Sequence, residues 1–320
     1  MTANPPNLAG KLRYYAAGIT AIDADYVRPL LDAVHLIVDG GRAAFVDTGT
    51  NASLPNLLAA LAHAGLEPAD VDWVLTTHVH LDHAGGAGAL MQALPHARCV
   101  VHPRGARHLI EPAKLVAGSI AVYGEEQYRR LYGEIVPIPA ERLHVPADGE
   151  RIRLGRRELE LIHTPGHALH HYCIVDREHA CIFPGDTFGL SYREFDVAGR
   201  EFVFPAAAPV HFDPETLCAS VERLMSYRPR AMYLTHYGEV RDLARLATEL
   251  QQRVRALAAL GRRLADDPQR SRRLRSEMFA LLSQWLDEHG WPGSVAERHR
   301  LLDADVEINS QGVEHWATQP

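Results

Sequence analysis

Eight consecutive residues, Thr76-Thr77-His78-Val79-His80-Leu81-Asp82-His83, follow directly on the apolar run Val71 to Leu75. Three imidazoles and a carboxylate within six positions at the end of a strand form a set of metal donors: neutral ring nitrogen and carboxylate oxygen suit zinc, iron or manganese. His78 and His80 are two residues apart, so in extended backbone their side chains leave on the same side and can share one ion. Asp82 and His83 come at the turn, where Ala84-Gly85-Gly86-Ala87-Gly88 lets the chain bend and a helix start over about Ala87 to Leu94. They are placed to serve a second ion. The helix-borne His-Glu-x-x-His pattern of zincin proteases is absent. A histidine-rich surface turn would not need the apolar strand in front of it.

Further strand-like runs span Val34 to Val38, Ala43 to Val46, Cys99 to Val101, Leu159 to Ile162, Tyr172 to Val175, Ala180 to Phe183 and Ala231 to Leu234. Helical patterns at Leu54 to Ala64 and Pro214 to Tyr227 make the class mixed α/β. Strands that follow one another closely, as from Val34 to Val46 and from Ile152 to Phe183, predict hairpins and argue against a doubly wound nucleotide fold. Residues 104–140 read as an inserted helical flap. From about Gly238 onward the chain reads as helical, with Leu243, Leu246, Leu250, Val254 and Leu257 at three- and four-residue spacing. The expected organisation is a catalytic unit over 1–238 and a helical extension over 239–320, with the apolar members of Val306 to Asn309 and Trp316 docking on a neighbour.

Composition narrows the function. A net charge of -7 argues against a nucleic-acid partner. The arginines from Arg262 to Arg275 alternate with Asp266, Asp267 and Glu277, as on a solvated helical face. Cys99, Cys173, Cys181 and Cys218 stand singly among apolar residues, without a Cys-x-x-Cys pair. No secretory or membrane-spanning segment is read, and the expectation is a cytoplasmic enzyme acting on a small molecule, with homo-oligomerisation left open.

Three more strand ends carry a potential ligand: His167 in Thr164-Pro165-Gly166-His167, Asp186 in Pro184-Gly185-Asp186-Thr187, and His236 in Leu234-Thr235-His236. Together with the first cluster, these motifs resemble, in identity, order and approximate spacing, those of the metallo-β-lactamase superfamily and its glyoxalase II-like hydrolase branch, over roughly residues 30 to 238. The resemblance implies an αβ/βα four-layer sandwich of two mixed β-sheets with metals at the sheet edges. It implies that His78, His80 and His167 hold a first ion, that Asp82, His83 and His236 hold a second, and that Asp186 bridges them. Zinc is the expected metal, with iron or manganese as alternatives. It further implies that Asp47, in Val46-Asp47-Thr48-Gly49, supports the histidine loop without ligating.

Two such ions would share a bridging hydroxide as nucleophile and polarise the carbonyl it attacks, with Asp82 or a metal-bound water to protonate the leaving group. The substrate bond is then ester-like, a thioester or a lactone. His80 stands where flavodiiron oxygen reductases of this fold carry glutamate, and Gly189 where some lactonases carry tyrosine. A mononuclear-iron persulfide dioxygenase and a non-catalytic metal-binding regulator are the alternatives. His102, His163, His170 and His171 read as supporting residues, not ligands. Tyr123, Tyr128, Tyr132, Tyr192 and Phe195 are candidates for pocket walls or for ordinary packing.

Overall fold

The computed structural model describes residues 6–319. Two sheets carry the chain. The first has seven strands in sequential order: β1 (Leu12–Tyr14), β2 (Ile19–Asp23), β3 (Ala33–Asp39), β4 (Arg42–Val46), β5 (Val71–Leu75), β6 (Arg98–Val100) and β7 (Leu143–His144). Its first four strands are antiparallel neighbours, and from β4 to β7 the pairing is parallel. The second sheet runs in the order β13 (Gly238–Val240), β12 (Ala231–Leu234), β11 (Cys181–Phe183), β10 (Tyr172–Asp176), β9 (Arg157–His163), β8 (Glu150–Leu154). Only β11 and β12 pair in parallel there. The expected hairpins are present, and both sheets are mixed.

The sheets stack face to face. Ile37, Ala44, Val46, Leu75 and Val100 of the first meet Leu161, Tyr172, Ile174, Phe183 and Tyr233 of the second in one buried cluster. Along β10, Tyr172 and Ile174 point into this cluster whereas Cys173 and Val175 point outward to the helices. A strand covered on both faces has no need of polar alternation, which is why this stretch reads as a continuous apolar run. Helices α1 (Leu54–His63) and α3 (Ala87–Ala93) cover the outer face of the first sheet. Helix α7 (Pro214–Ser226) covers that of the second, giving the four-layer arrangement that the motifs implied. Asp213 caps α7 by accepting the Thr216 N–H at 2.7 Å, and Pro214 occupies the first turn, where no donor is lost.

Three short helices fill the flap: α4 (Ala106–Ile110), α5 (Ala113–Tyr123) and α6 (Glu125–Leu131). The C-terminal region forms α8 (Leu243–Leu264), α9 (Arg270–His289) and α10 (Val295–Ala317). Leu243, Leu246, Leu250, Val254 and Leu257 line the buried face of α8 and join the same apolar cluster as the outer face of the second sheet. Ser294 and Glu297 cap each other's backbone N–H at the start of α10. Val306, Asn309, Gly312 and Val313 form the docked side of that helix. Arginines of the basic stretch pair with Asp267, Glu277, Glu307 and Glu314. All four cysteines are buried free thiols. Among the described residues no helix is long and apolar enough to cross a membrane.

Some expectations need correction. The segment holding Asp82 and His83 is not an open turn but a single helical turn, α2 (Leu81–Ala84), with His80 in extended backbone at its N-cap position. Phe195 is fully buried among Phe202, Phe204 and Trp291, and Tyr192 packs beside it, so these two belong to the core and not to a pocket wall. Strands β1, β2, β7 and β13 were not anticipated.

Candidate metal centre

Every candidate ligand sits just beyond a strand end on the same edge of the sandwich. Asp47 follows β4 in left-handed backbone, φ 59°, and is completely buried. Its Oδ1 accepts the Thr77 N–H at 2.8 Å, and its Oδ2 lies 2.7 Å from His83 Nδ1 and accepts from the Thr235 hydroxyl at 2.8 Å. One carboxylate thus fastens the histidine loop, the ring of His83 and the residue ahead of His236. By receiving Nδ1–H it leaves His83 Nε2 free to face the site. This is the supporting role expected of Asp47.

His167 is held from the opposite sheet. Its Nδ1 donates to the Ala206 carbonyl at 2.9 Å, again freeing Nε2. The turn ahead of it needs Gly166, whose φ is +126° and where a Cβ would lie 2.3 Å from the Leu217 backbone nitrogen in α7. His171 accepts the Asp186 N–H through Nε2 at 3.2 Å and lies 3.0 Å from the Thr164 hydroxyl through Nδ1, so it steadies two ligand loops and is not itself among the converging donors. The rings of His102 and His163 lie against each other, tilted at 52° with centroids 4.2 Å apart, and neither is among those donors.

The donors converge in three overlapping groups, each within 4.8 Å: His78, His80 and His167; His78, His83 and Asp186; Asp82, His83 and His236. His78 Nε2 is 2.8 Å from His80 Nδ1 and 3.3 Å from His167 Nε2. Asp186 faces both sides: Oδ2 lies 3.4 Å from His167 Nε2, whereas Oδ1 lies 3.3 Å from His83 Nε2 and 3.6 Å from His236 Nε2. Asp82 Oδ2 is 3.6 Å from His236 Nε2. All seven sequence-predicted residues are therefore brought to one place; two of the three groups are the sets that the motifs implied, and the third joins His78 to His83 and Asp186.

Electrostatics divides the cluster. Burial, and then neighbouring imidazoles, hold His78 and His80 well below the ordinary histidine range, so both are neutral and free to donate a lone pair. Burial also opposes charge on His83, but Asp186, Asp47 and Asp82 outweigh it and push that ring well above its ordinary value. For His236 burial is likewise overcome, by Asp32 and Asp186, which raise it to about 10. Burial alone would raise Asp186; its histidine neighbours hold it well below the carboxylate range instead. The carboxylate-rich half of the site thus favours positive charge. Asp186 Oδ1 is buried with no hydrogen-bond partner, although nitrogens surround it. A donor set of imidazoles and carboxylates around an orphaned oxygen fits divalent cations.

Sequence reasoning missed the partner of His236. Asp32, fully buried just ahead of β3, places Oδ1 2.6 Å from His236 Nδ1, and the Leu31 carbonyl lies 3.2 Å from the same nitrogen. An acidic residue directly before a largely apolar strand was the available signal. Also missed was Tyr26, whose hydroxyl lies 2.6 Å from that of Tyr132 in the flap. With Tyr123, Tyr128 and Leu81 these residues form a small apolar cluster next to Asp82.

Comparison with known proteins agrees with this geometry. The family described as the metallo-beta-lactamase superfamily matches residues 28–236. A hydroxyacylglutathione hydrolase of Xanthomonas euvesicatoria is 31% identical over 209 residues, 65% of this chain and 58% of the relative. An acyl-coenzyme A thioesterase of Gallus gallus, MBLAC2, is 30% identical over 173 residues, 48% of this chain and 56% of that protein. The chain thus spans somewhat over half the length of these relatives. Among solved structures, an archaeal metallo-beta-lactamase superfamily protein from Sulfolobus tokodaii superposes with a TM-score of 0.65 at 21% identity, covering 93% of this chain and 99% of the other. A metallo-beta-lactamase family protein from Thermus thermophilus gives 0.64 at 22% identity over 93% and 92%. These two share the fold over a range that takes in the C-terminal helices. The chain belongs to the metallo-beta-lactamase superfamily, and within it resembles the glyoxalase II-like branch.

Proposed function

We propose that this protein is a dinuclear metal-dependent hydrolase that cleaves an ester-like bond in a small molecule, a thioester in the first instance. The observation that carries the reading is Asp186, whose two oxygens face two different histidine sets while Oδ1 has no hydrogen-bond partner. In this reading His78, His80 and His167 hold one ion, Asp82, His83 and His236 the other, and Asp186 both. The chemistry that two divalent ions supply when bound is acidification of shared water to a hydroxide nucleophile at neutral pH and polarisation of the carbonyl under attack.

The chain's own residues do the rest. Asp47 and the Ala206 carbonyl fix the tautomers of His83 and His167, so that Nε2 of each faces the centre. Asp82, its side chain 22% exposed against 7% for Asp186, reaches the opening, and to it we assign proton delivery to the departing sulfur or oxygen. The cluster of Leu81, Tyr26, Tyr123 and Tyr132 closes the flap side and excludes water there. Thioesters come before lactones because Gly189 leaves no tyrosine at the position some lactonases use, and because the relatives named above act on thioesters by name. The four free thiols support a reducing, cytoplasmic setting.

Elemental analysis of protein purified without added metal, followed by assays on thioester and lactone panels, tests the reading. Two zinc, iron or manganese ions per chain and thioester hydrolysis that disappears in His80→Ala are expected. Equal activity in that variant, or one iron per chain with oxygen uptake on a persulfide, overturns it.

A further inference from the structure

On the flank of the centre opposite Asp82, three histidines remain that the ligand set does not use. His170 is 6% exposed, and its ring centroid lies 5.5 Å from that of His80. Outward from it, His211, just ahead of α7, lies at 5.5 Å and His108, on α4 of the flap, at 6.3 Å. Three separate parts of the chain thus bring imidazoles side by side, at the margin of the first ligand group. Their nitrogens are not among the groups that converge closely enough for one ion, so the trio is not a third metal site.

What the trio offers is hydrogen-bond donors. His170 Nδ1 accepts the Val79 N–H at 3.5 Å, which puts the proton of the neutral ring on Nε2. Among the described residues no protein atom accepts from that Nε2, and the side chains of His108 and His211 have no hydrogen-bond partner either. The surrounding charge has one sign. The permanent charges acting on the outer rings are Arg104 on His211 and Arg107 and Lys114 on His108; the other contributions come from imidazoles. The other flank is the reverse, with Asp82, Asp32 and Asp305 near His236.

Unpartnered donors under a positive field are the chemistry of oxyanion recognition. We propose that His108, His170 and His211 hold a carboxylate or phosphate of the substrate while its scissile carbonyl lies over the metal centre, so that the enzyme selects anionic thioesters. This rests on the hydrolase reading above and adds the class and orientation of its substrate.

The test compares butyryl-pantetheine, succinyl-pantetheine and butyryl-coenzyme A on the metal-loaded protein. The first is neutral, the second carries a carboxylate on the acyl side, and the third carries phosphates on the thiol side. An anionic thioester is expected to show kcat/KM at least about tenfold above the neutral one, as for one charge-assisted hydrogen bond. The double variant His108→Leu, His211→Leu is expected to bring that ratio close to one. Which anionic substrate is preferred identifies the side on which the charge is carried. A ratio near one in the unmodified protein, or a ratio unchanged in the variant, overturns the proposal. If none of the three is hydrolysed, the thioesterase reading has failed, and the anion site is decided separately by calorimetric titration with succinate and with inorganic phosphate. Binding at least fivefold weaker in the variant then sustains the site, and equal binding removes it.

Discussion

Asn309 lies in α10, far along the chain from any ligand, yet it is 4% exposed and holds the segment that orients His167. Its Oδ1 accepts the Ala207 N–H at 2.7 Å, and its Nδ2 donates to the Pro205 carbonyl at 3.0 Å. Between these two anchors sits Ala206, whose carbonyl receives His167 Nδ1–H. Three residues further along the helix, Gly312 lets α10 come so close that a Cβ there would lie 2.0 Å from the Ala207 oxygen. Replacing Asn309 by leucine keeps the volume but leaves a buried N–H and a buried C=O unpaired, at about 1–3 kcal/mol each. Allowing about 1 kcal/mol back for added apolar burial, the net loss is about 1–5 kcal/mol. For a chain of this size that is a fall in Tm of roughly 2–8 °C. Because the freed segment also carries the acceptor for His167, metal affinity at the first site should fall about 10- to 100-fold. Differential scanning calorimetry and competition with a fluorescent chelator measure the two effects. An unchanged Tm would refute the hydrogen-bond argument. A lowered Tm with full metal affinity would refute the coupling between α10 and His167.

Asp186→Asn removes charge from the group facing both ligand sets, so elemental analysis should find fewer than two ions per chain, and the rise in Tm on adding zinc should shrink. Asp32→Asn leaves every proposed ligand in place but weakens the support for His236, so metal titration should show one site weakened about 10- to 100-fold and the other retained. His35 is buried between Phe183 and Tyr233, and burial lowers its pKa from 6.5 to about 4, against the raising influence of Asp47. A folded-state value below the unfolded one means that stability is complete above pH 6.5 and is lost as pH falls towards 4; the loss by pH 5 is about 2 kcal/mol. In His35→Leu, denaturation midpoints at pH 8 and pH 5 should differ by correspondingly less, and an equal acid sensitivity would remove His35 as its source.

The candidate ligands could be read from the sequence because a metal demands particular atom types, and because strand ends present them in short stretches, as at His78 to His83 and at Thr164 to His167. The residues that aim those ligands are hidden for the opposite reason. His167 is oriented by a backbone carbonyl, which any residue at position 206 would supply, and that carbonyl is held by an asparagine 103 positions later in a helix whose sequence shows only amphipathic spacing. Asp32 and His236 are 204 residues apart, so no local pattern relates them. Short edge strands escaped notice because three residues, as in Leu12–Tyr14, are too few to display alternation. The oxyanion-binding trio is of this second kind, since His108, His170 and His211 are unremarkable until the flap, the His167 loop and the approach to α7 are folded together. In such a protein, the kind of chemistry is written locally, whereas the choice of substrate depends on contacts between distant segments. On the proposed reading, substitution of His108 or His211 should therefore change which substrate is used before it changes whether metal is bound, whereas substitution of Asn309 or Asp32 loosens the candidate ligands themselves.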